Sequence, residues 1–253
     1  MSSRLLLITG GSGQFGRILI EYFLNKGDSI IFTASCEESI NTVYDQFTTE
    51  SHRLFGFKQD FTQQCFATDL VKQLNNRKLF PDGLVNNARS LKYLKVEEDG
   101  TVSRDNFLNE YLIDVIAPYE LTMALTASPD NRLCHVVNIG SQYGNVAATP
   151  SLYEDHARQS PIHYGVAKAA LEHLTRELAV RLADQNIQVN CVAFGGVEGR
   201  VDEQFKTRYS KLVPLGRMLR VDEVSGPVDY LLSEMSSGMT GQVMSVDGGW
   251  GIW

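Results

Sequence analysis

Apolar residues fall along this chain in two alternating rhythms. Short runs at Leu5–Thr9, Ser29–Thr33, Leu54–Lys58, Gly83–Asn86, Leu133–Ile139, Gln188–Ala193 and Val243–Val246 are apolar at most positions. Such runs mark strands covered on both faces. Between them, Gly16–Lys26, Glu38–Phe47, Phe66–Asn75, Asp105–Ala127 and Gly165–Asp184 carry the amphipathic spacing of helices. Strands separated by helices predict βαβ units, hence an α/β protein: a doubly wound parallel sheet of about seven strands with helices on both faces. Ligands of such sheets bind beyond the carboxyl ends of the strands. No linker, repeat or low-complexity tract divides residues 1–253, so one domain is expected. The segment Gln142–Ile162, with Pro150 and Pro161, reads as its main irregular insertion.

Composition narrows the partners. A formal net charge of −7 argues against nucleic acid, and no segment approaches a membrane span. The opening apolar run, Leu5–Ile8, is too short for a signal sequence and leads directly into glycines. Cys36, Cys65, Cys134 and Cys191 are scattered, without Cys-x-x-Cys or metal spacing with histidine. Reduced thiols, a cytoplasmic location and no metal are therefore expected.

The first strand ends in Thr9-Gly10-Gly11-Ser12-Gly13-Gln14-Phe15-Gly16 and opens a helix. Glycines there let backbone amides approach a pyrophosphate, and the helix N-terminus adds partial positive charge. Gly10, Ser12, Gly13, Gln14, Phe15 and Gly16 are thus candidates for binding a dinucleotide. After the second strand, Thr33-Ala34-Ser35-Cys36-Glu37-Glu38 offers no aspartate for a ribose 2′-hydroxyl and no arginine for a 2′-phosphate. Ser35 suits either, so NAD and NADP both remain open.

Tyr164 and Lys168 stand four residues apart at the start of a helical stretch, on one face and one turn apart. An ammonium beside a phenol favours the phenolate, drawing a group that ordinarily titrates near pH 10 toward neutrality. A phenol so tuned exchanges a proton with a substrate hydroxyl or carbonyl.

Together these segments resemble the short-chain dehydrogenase/reductase family across essentially the whole chain. Asn86-Asn87-Ala88, Asn138-Ile139-Gly140-Ser141, Tyr164-Gly-Val-Ala-Lys168, Val189-Asn190-Cys191-Val192 and Val246-Asp247-Gly248-Gly249 are similar to its signatures. The resemblance implies a Rossmann-type NAD(P)-binding domain, with Asp60 and Phe61 near adenine and Asn87, Ala88, Gly195 and Val197 along the cofactor. It makes Tyr164 the acid/base, Ser141 the hydrogen-bond donor to the reacting oxygen, and Lys168 the tuner of Tyr164 and holder of the nicotinamide ribose. Hydride passes between nicotinamide and a substrate carbon, and the protein supplies orientation. A homodimer or homotetramer is also implied. Ser141 precedes Tyr164 by 23 residues, and Ser151 precedes it by only 13. Ser141 is preferred because it ends an apolar strand, whereas Ser151 follows Pro150.

Four positions depart from the family pattern. Gln14 replaces a loop glycine, Arg89 follows Asn-Asn-Ala in place of glycine, Phe194 replaces a proline, and Asp114 takes the place of an asparagine that anchors a relay water. A carboxylate at 114 is expected to compete for Lys168, so Asp114 joins the catalytic candidates. Arg89 suits a substrate phosphate or carboxylate. His163, adjacent to Tyr164, points elsewhere on its helix and is not expected to share its chemistry.

The stretch from Tyr143-Gly144 through Tyr153-Glu154 to Pro161-Ile162-His163 resembles a subgroup linked to bacterial surface-sugar biosynthesis, of the nonulosonate or flagellin-glycan type. That implies a sugar or nucleotide-activated sugar as the small-molecule substrate. The alternative is a cofactor-binding sensor or assembly partner whose catalysis is impaired by Asp114 and Arg89; fold alone does not decide between them. An epimerase with tightly held cofactor is a third reading, opposed by the Asp-Gly-Gly tail.

Overall fold

The computed structural model describes residues 3–199 and 201–253. Seven strands form one parallel sheet in the order β3-β2-β1-β4-β5-β6-β7. They are β1 (Leu5–Ile8), β2 (Ser29–Ala34), β3 (Leu54–Lys58), β4 (Gly83–Asn86), β5 (His135–Ser141), β6 (Gln188–Phe194) and β7 (Val243–Val246). Side-chain alternation sends Leu6, Ile8, Ile30 and Phe32 to one face and Leu7, Ile31, Leu84 and Val136 to the other. Both faces are roofed, which is why the strands read as continuous apolar runs rather than as alternating ones.

The first face is covered by α1 (Gln14–Asn25) and α2 (Glu37–Gln46), and near the C-terminus by α10 (Ser225–Leu231). Leu19, Ile20, Phe23, Val228 and Leu231 pack there. The second is covered by α3 (Phe66–Asn76), α5 (Ala117–Thr126) and α8 (Ile162–Arg181), through Leu70, Leu74, Leu121, Leu125 and Leu178. The order reverses between β1 and β4, so the carboxyl ends of these two strands flank the crevice where such sheets take ligands.

Three expectations change in detail. The helix expected over Asp105–Ala127 is α4 (Arg104–Tyr111) and α5 joined through a π-helical turn, Leu112–Ile116, that carries Asp114. The fifth strand continues to Ser141, because β6 pairs with it through Ser141 opposite Phe194. The segment Gln142–Ile162 is not irregular: it holds α6 (Gln142–Asn145), a tight turn at Pro150–Leu152 and α7 (His156–Gln159), before α8 begins at Ile162. Ser141 caps α6 and Asp155 caps α7 with their side chains, so local hydrogen bonding gives the insertion its turns. Between β6 and β7, α9 (Glu203–Ser210) precedes α10.

Candidate active site

The phosphate loop is braced by its neighbour strand. Thr9 Oγ1 accepts from the amides of Asn87 and Ala88, each at 2.9 Å, and Asn87 Nδ2 donates back to Thr9 O at 2.8 Å. Gly10 has φ +66°, and a Cβ there would stand 2.8 Å from Ala88 Cα, so backbone crosses backbone at this point. A Cβ on Gly16 would press on Gly10 O and lie 2.6 Å from Gly11 Cα. The loop ends at Gly13, which precedes α1 without any side-chain cap, and the first turn of α1 has no acidic residue. Its amides and the positive end of a 12-residue helix therefore face the crevice unneutralised, which suits a pyrophosphate. Gln14 Nε2 donates to Glu198 O at 3.1 Å, and Phe15 meets Phe194 edge to face at 5.4 Å. Two of the four departures from the family pattern, Gln14 and Phe194, thus tie the start of α1 to the end of β6 and the segment after it.

The other cofactor candidates follow the carboxyl ends of β2, β3, β4 and β6. Ser35 is exposed just past β2, ahead of Glu37 and Glu38 in the first turn of α2. The Asp60 carboxylate accepts from the hydroxyl and amide of Thr62 and from Gln63 Nε2, and these bonds hold it below the usual carboxylate range. Phe61 packs edge-on to Phe66 at 4.9 Å. Past β6, Gly195 N donates to Val246 O at 2.9 Å, and Val197 bridges to Leu219.

Beyond the ends of β4 and β5 lies a cluster of charges. Lys168 is buried, and its Nζ donates to Ile139 O at 3.0 Å and sits 3.0 Å from Asp114 Oδ2. It lies 5.8 Å from the centre of the Tyr164 ring. Burial opposes the lysine's charge, but the attraction of Asp114 and Tyr164 outweighs it and raises the ammonium above its ordinary value. The expected competition for Lys168 is therefore an ion pair, with each side chain less than a tenth exposed. Arg89 reaches over the same tyrosine ring, its guanidinium carbon 4.5 Å from the centroid. One turn before Asp114, Glu110 is fully buried, and neither carboxyl oxygen has a hydrogen-bond partner among the described residues. Burial, followed by the charge of Asp114, pushes this carboxyl up to about 7.

Ser141 is 5 % exposed at the tip of β5, and its Oγ accepts from Tyr143 N at 3.2 Å. Ser151, by contrast, is exposed in the Pro150–Leu152 turn. His163 is buried, with its Nε2 2.7 Å from Tyr93 O and its ring beside Phe107. Behind the cluster, Asn86 Nδ2 donates to Asn138 Oδ1 at 2.8 Å and Asn138 Nδ2 to Thr175 Oγ1 at 2.9 Å. This buried chain fixes the ends of β4 and β5 to α8.

The insertion has a small apolar core of its own. Leu152 from the insertion packs with Tyr209, Val213, Met218 and Trp250. Tyr209 stacks on Trp250 at 4.7 Å, donates to Gln142 Oε1 and accepts from Gly196 N. Tyr143 and Tyr153 share a hydroxyl contact of 2.8 Å, and burial raises both phenols. The insertion is therefore fastened to the segment after β6. Glu110 and Tyr209 stand beside the candidate site and were missed by motif reading, whereas Thr9 opens the loop motif itself. For Glu110 the available signal was a second carboxylate four residues before Asp114, on the same face.

A protein-family model described as enoyl-(acyl carrier protein) reductase matches residues 15–251. The post-translational flagellin modification protein A of Campylobacter coli is 26% identical over 261 residues, covering 100% of both chains. A short-chain dehydrogenase of Leptospira borgpetersenii, solved with bound NAD+, superposes with a TM-score of 0.84 at 27% identity, covering 99% of this chain and 94% of the other. The Pseudomonas aeruginosa RhlG/NADP active-site complex gives a TM-score of 0.84 at 26% identity, covering 99% of this chain and 97% of that one.

Proposed function

For a chain that belongs to the short-chain dehydrogenase/reductase family, and so is an NAD(P)-dependent oxidoreductase, we propose that Tyr164 is the acid/base of hydride transfer at an alcohol or ketone carbon. The observation that carries this reading is the buried Lys168, held between Ile139 O and Asp114 with the Tyr164 ring beside it. NAD or NADP would supply the hydride donor or acceptor. Gly10, Ser12, Gly13, Gln14, Phe15 and Gly16 would hold its pyrophosphate, Ser35, Asp60 and Phe61 its adenosine end, and Asn87, Ala88, Gly195 and Val197 its other end. In reduction the phenolic proton of Tyr164 moves to the carbonyl oxygen; in oxidation the phenolate takes the hydroxyl proton. Ser141 hydrogen-bonds that same oxygen and fixes its position. Lys168, held as the ammonium by its pairing with Asp114, places positive charge beside the phenol and favours the phenolate.

The substrate we propose is a sugar derivative bearing a phosphate or carboxylate. Arg89, exposed over the Tyr164 ring, suits such an anion, and the likeness to the flagellin modification protein supports the sugar. The description of the matched family favours a second reading, an acyl-carrier thioester.

Absorbance of reduced nicotinamide distinguishes these when NAD(H) and NADP(H) are screened against nucleotide-activated sugars and against enoyl and 3-oxoacyl thioesters, the latter the substrates named for a 26% identical reductase of Aquifex aeolicus. With the substrate that turns over, Tyr164→Phe is expected to lower kcat by at least a thousandfold while cofactor Kd stays within a few-fold. Wild-type rates in that variant would remove Tyr164 from the mechanism.

A further inference from the structure

Glu110 has no part in the mechanism above, yet it is placed where a charge is hardest to hold. It is fully buried, both carboxyl oxygens are without hydrogen-bond partners among the described residues, and it lies one helical turn from Asp114. A carboxylate buried without donors is costly, whereas a neutral carboxyl is not. Asp114 is already the charged partner of Lys168, and two adjacent carboxylates share their ionisation poorly.

Around Glu110 stand Asp114 on the π-helical turn, Lys168 on α8, and Arg89 from the turn after β4. Farther along α8 are Tyr164 and His163, the latter held by Tyr93 O and Phe107. The two cations that draw Glu110 toward ionisation, Arg89 and Lys168, are the same two that face the Tyr164 ring, at 4.5 and 5.8 Å.

We propose that Glu110 is a positioning residue that works through Asp114, Lys168 and Arg89: neutral, it leaves both cations to favour the Tyr164 phenolate, and ionised, it draws on their charge and opposes that phenolate. The reaction gains a built-in restraint as pH rises. Loss of the proton from Glu110 to solvent places a second negative charge in the cluster, and the proton on Tyr164 becomes harder to remove. Placement of the carboxyl near 7 puts this switch in the neutral range.

This inference rests on Tyr164 being the acid/base, and its test separates the two. Infrared difference spectra of the cofactor-free protein between pH 5 and 8 should show a protonated-carboxyl C=O band that is lost in Glu110→Gln and kept in Glu172→Gln, the other buried carboxyl raised into that range. Tyrosinate absorbance that is absent from Tyr164→Phe should form at lower pH in Glu110→Gln than in the wild type. Where turnover is measured, the variant's pH–rate profile should lack an inflection near neutrality that the wild type shows. The absence of the infrared band, or an unmoved Tyr164 step, would overturn the proposal, while full activity in Tyr164→Phe would overturn only the mechanism on which it rests.

Discussion

The ion pair between Lys168 and Asp114 yields a quantitative prediction about stability. Its charged atoms are 3.0 Å apart, and the two side chains are 6 % and 1 % exposed. At the effective dielectric that describes protein sites, Coulomb attraction at this distance is on the order of 5 kcal/mol, and desolvation of the two ions offsets much of it. The pair's net worth is therefore small, but the cost of breaking one side is large. Asp114→Asn leaves an ammonium with only Ile139 O, and Lys168→Met leaves a buried carboxylate beside Glu110. Each single substitution is expected to cost roughly 3–5 kcal/mol. For a chain of 253 residues that lowers Tm by roughly 6–20 °C. The double substitution removes both charges and should cost no more than either single one, a coupling of about 3 kcal/mol or more. Urea unfolding of the four proteins at pH 7, with activity recorded alongside, measures the cycle. The Asp114→Asn cost should shrink as pH rises, because the folded state then binds fewer protons at Lys168 than the unfolded chain does. Additive single effects, within about 0.5 kcal/mol, would refute the reasoning.

Two further substitutions test separate parts of the structure. Gly16→Ala sets a Cβ against Gly10 O and Gly11 Cα, where only backbone can give way; loss of roughly 1–3 kcal/mol in stability and at least a tenfold rise in cofactor Kd are expected, read by unfolding and by fluorescence titration. An unchanged Kd would show that the loop tolerates displacement. Glu172, 4 % exposed, is pushed up to about 7 by burial, with Arg176 opposing. The native state then binds more protons than the unfolded chain between the ordinary value of 4.5 and about 7, so stability falls as pH rises through that window. Glu172→Gln should remove up to about 3 kcal/mol of this decline between pH 5 and 8; parallel stability curves would contradict the shift.

How much of this was legible from residues alone depends on whether a signal was local. The seven strands were readable because burial on both faces makes them continuously apolar, as at Leu5–Ile8 and Gln188–Phe194. The π-helical turn was not, because inserting one residue in a turn leaves the apolar spacing of Ile113, Val115 and Leu121 nearly intact. Glu110 lies in Arg-Asp-Asn-Phe-Leu-Asn-Glu-Tyr, a polar stretch that looks solvent-facing until α8 closes over it. Helices α9 and α10 escaped notice for related reasons. The first is mostly polar, with Tyr209 as its one fully covered side chain, and the second contains Gly-Pro, a pair that normally signals a turn. Pairing between Asp114 and Lys168 was foreseeable from chemistry alone, but its geometry needed the packing of the π-helical turn on α8.

The bond from Gln14 to Glu198 O has a thermodynamic consequence. It joins the loop proposed to cradle pyrophosphate to the segment between β6 and α9, whose Gly196 is bonded to Tyr209 in the apolar cluster that holds Leu152 of the insertion. Any movement of that segment on substrate entry is felt by the phosphate loop, and linkage then runs both ways: the factor by which cofactor changes substrate affinity equals the factor by which substrate changes cofactor affinity. A single side-chain amide at residue 14 thus offers a route by which the two affinities are coupled equally, whichever ligand binds first.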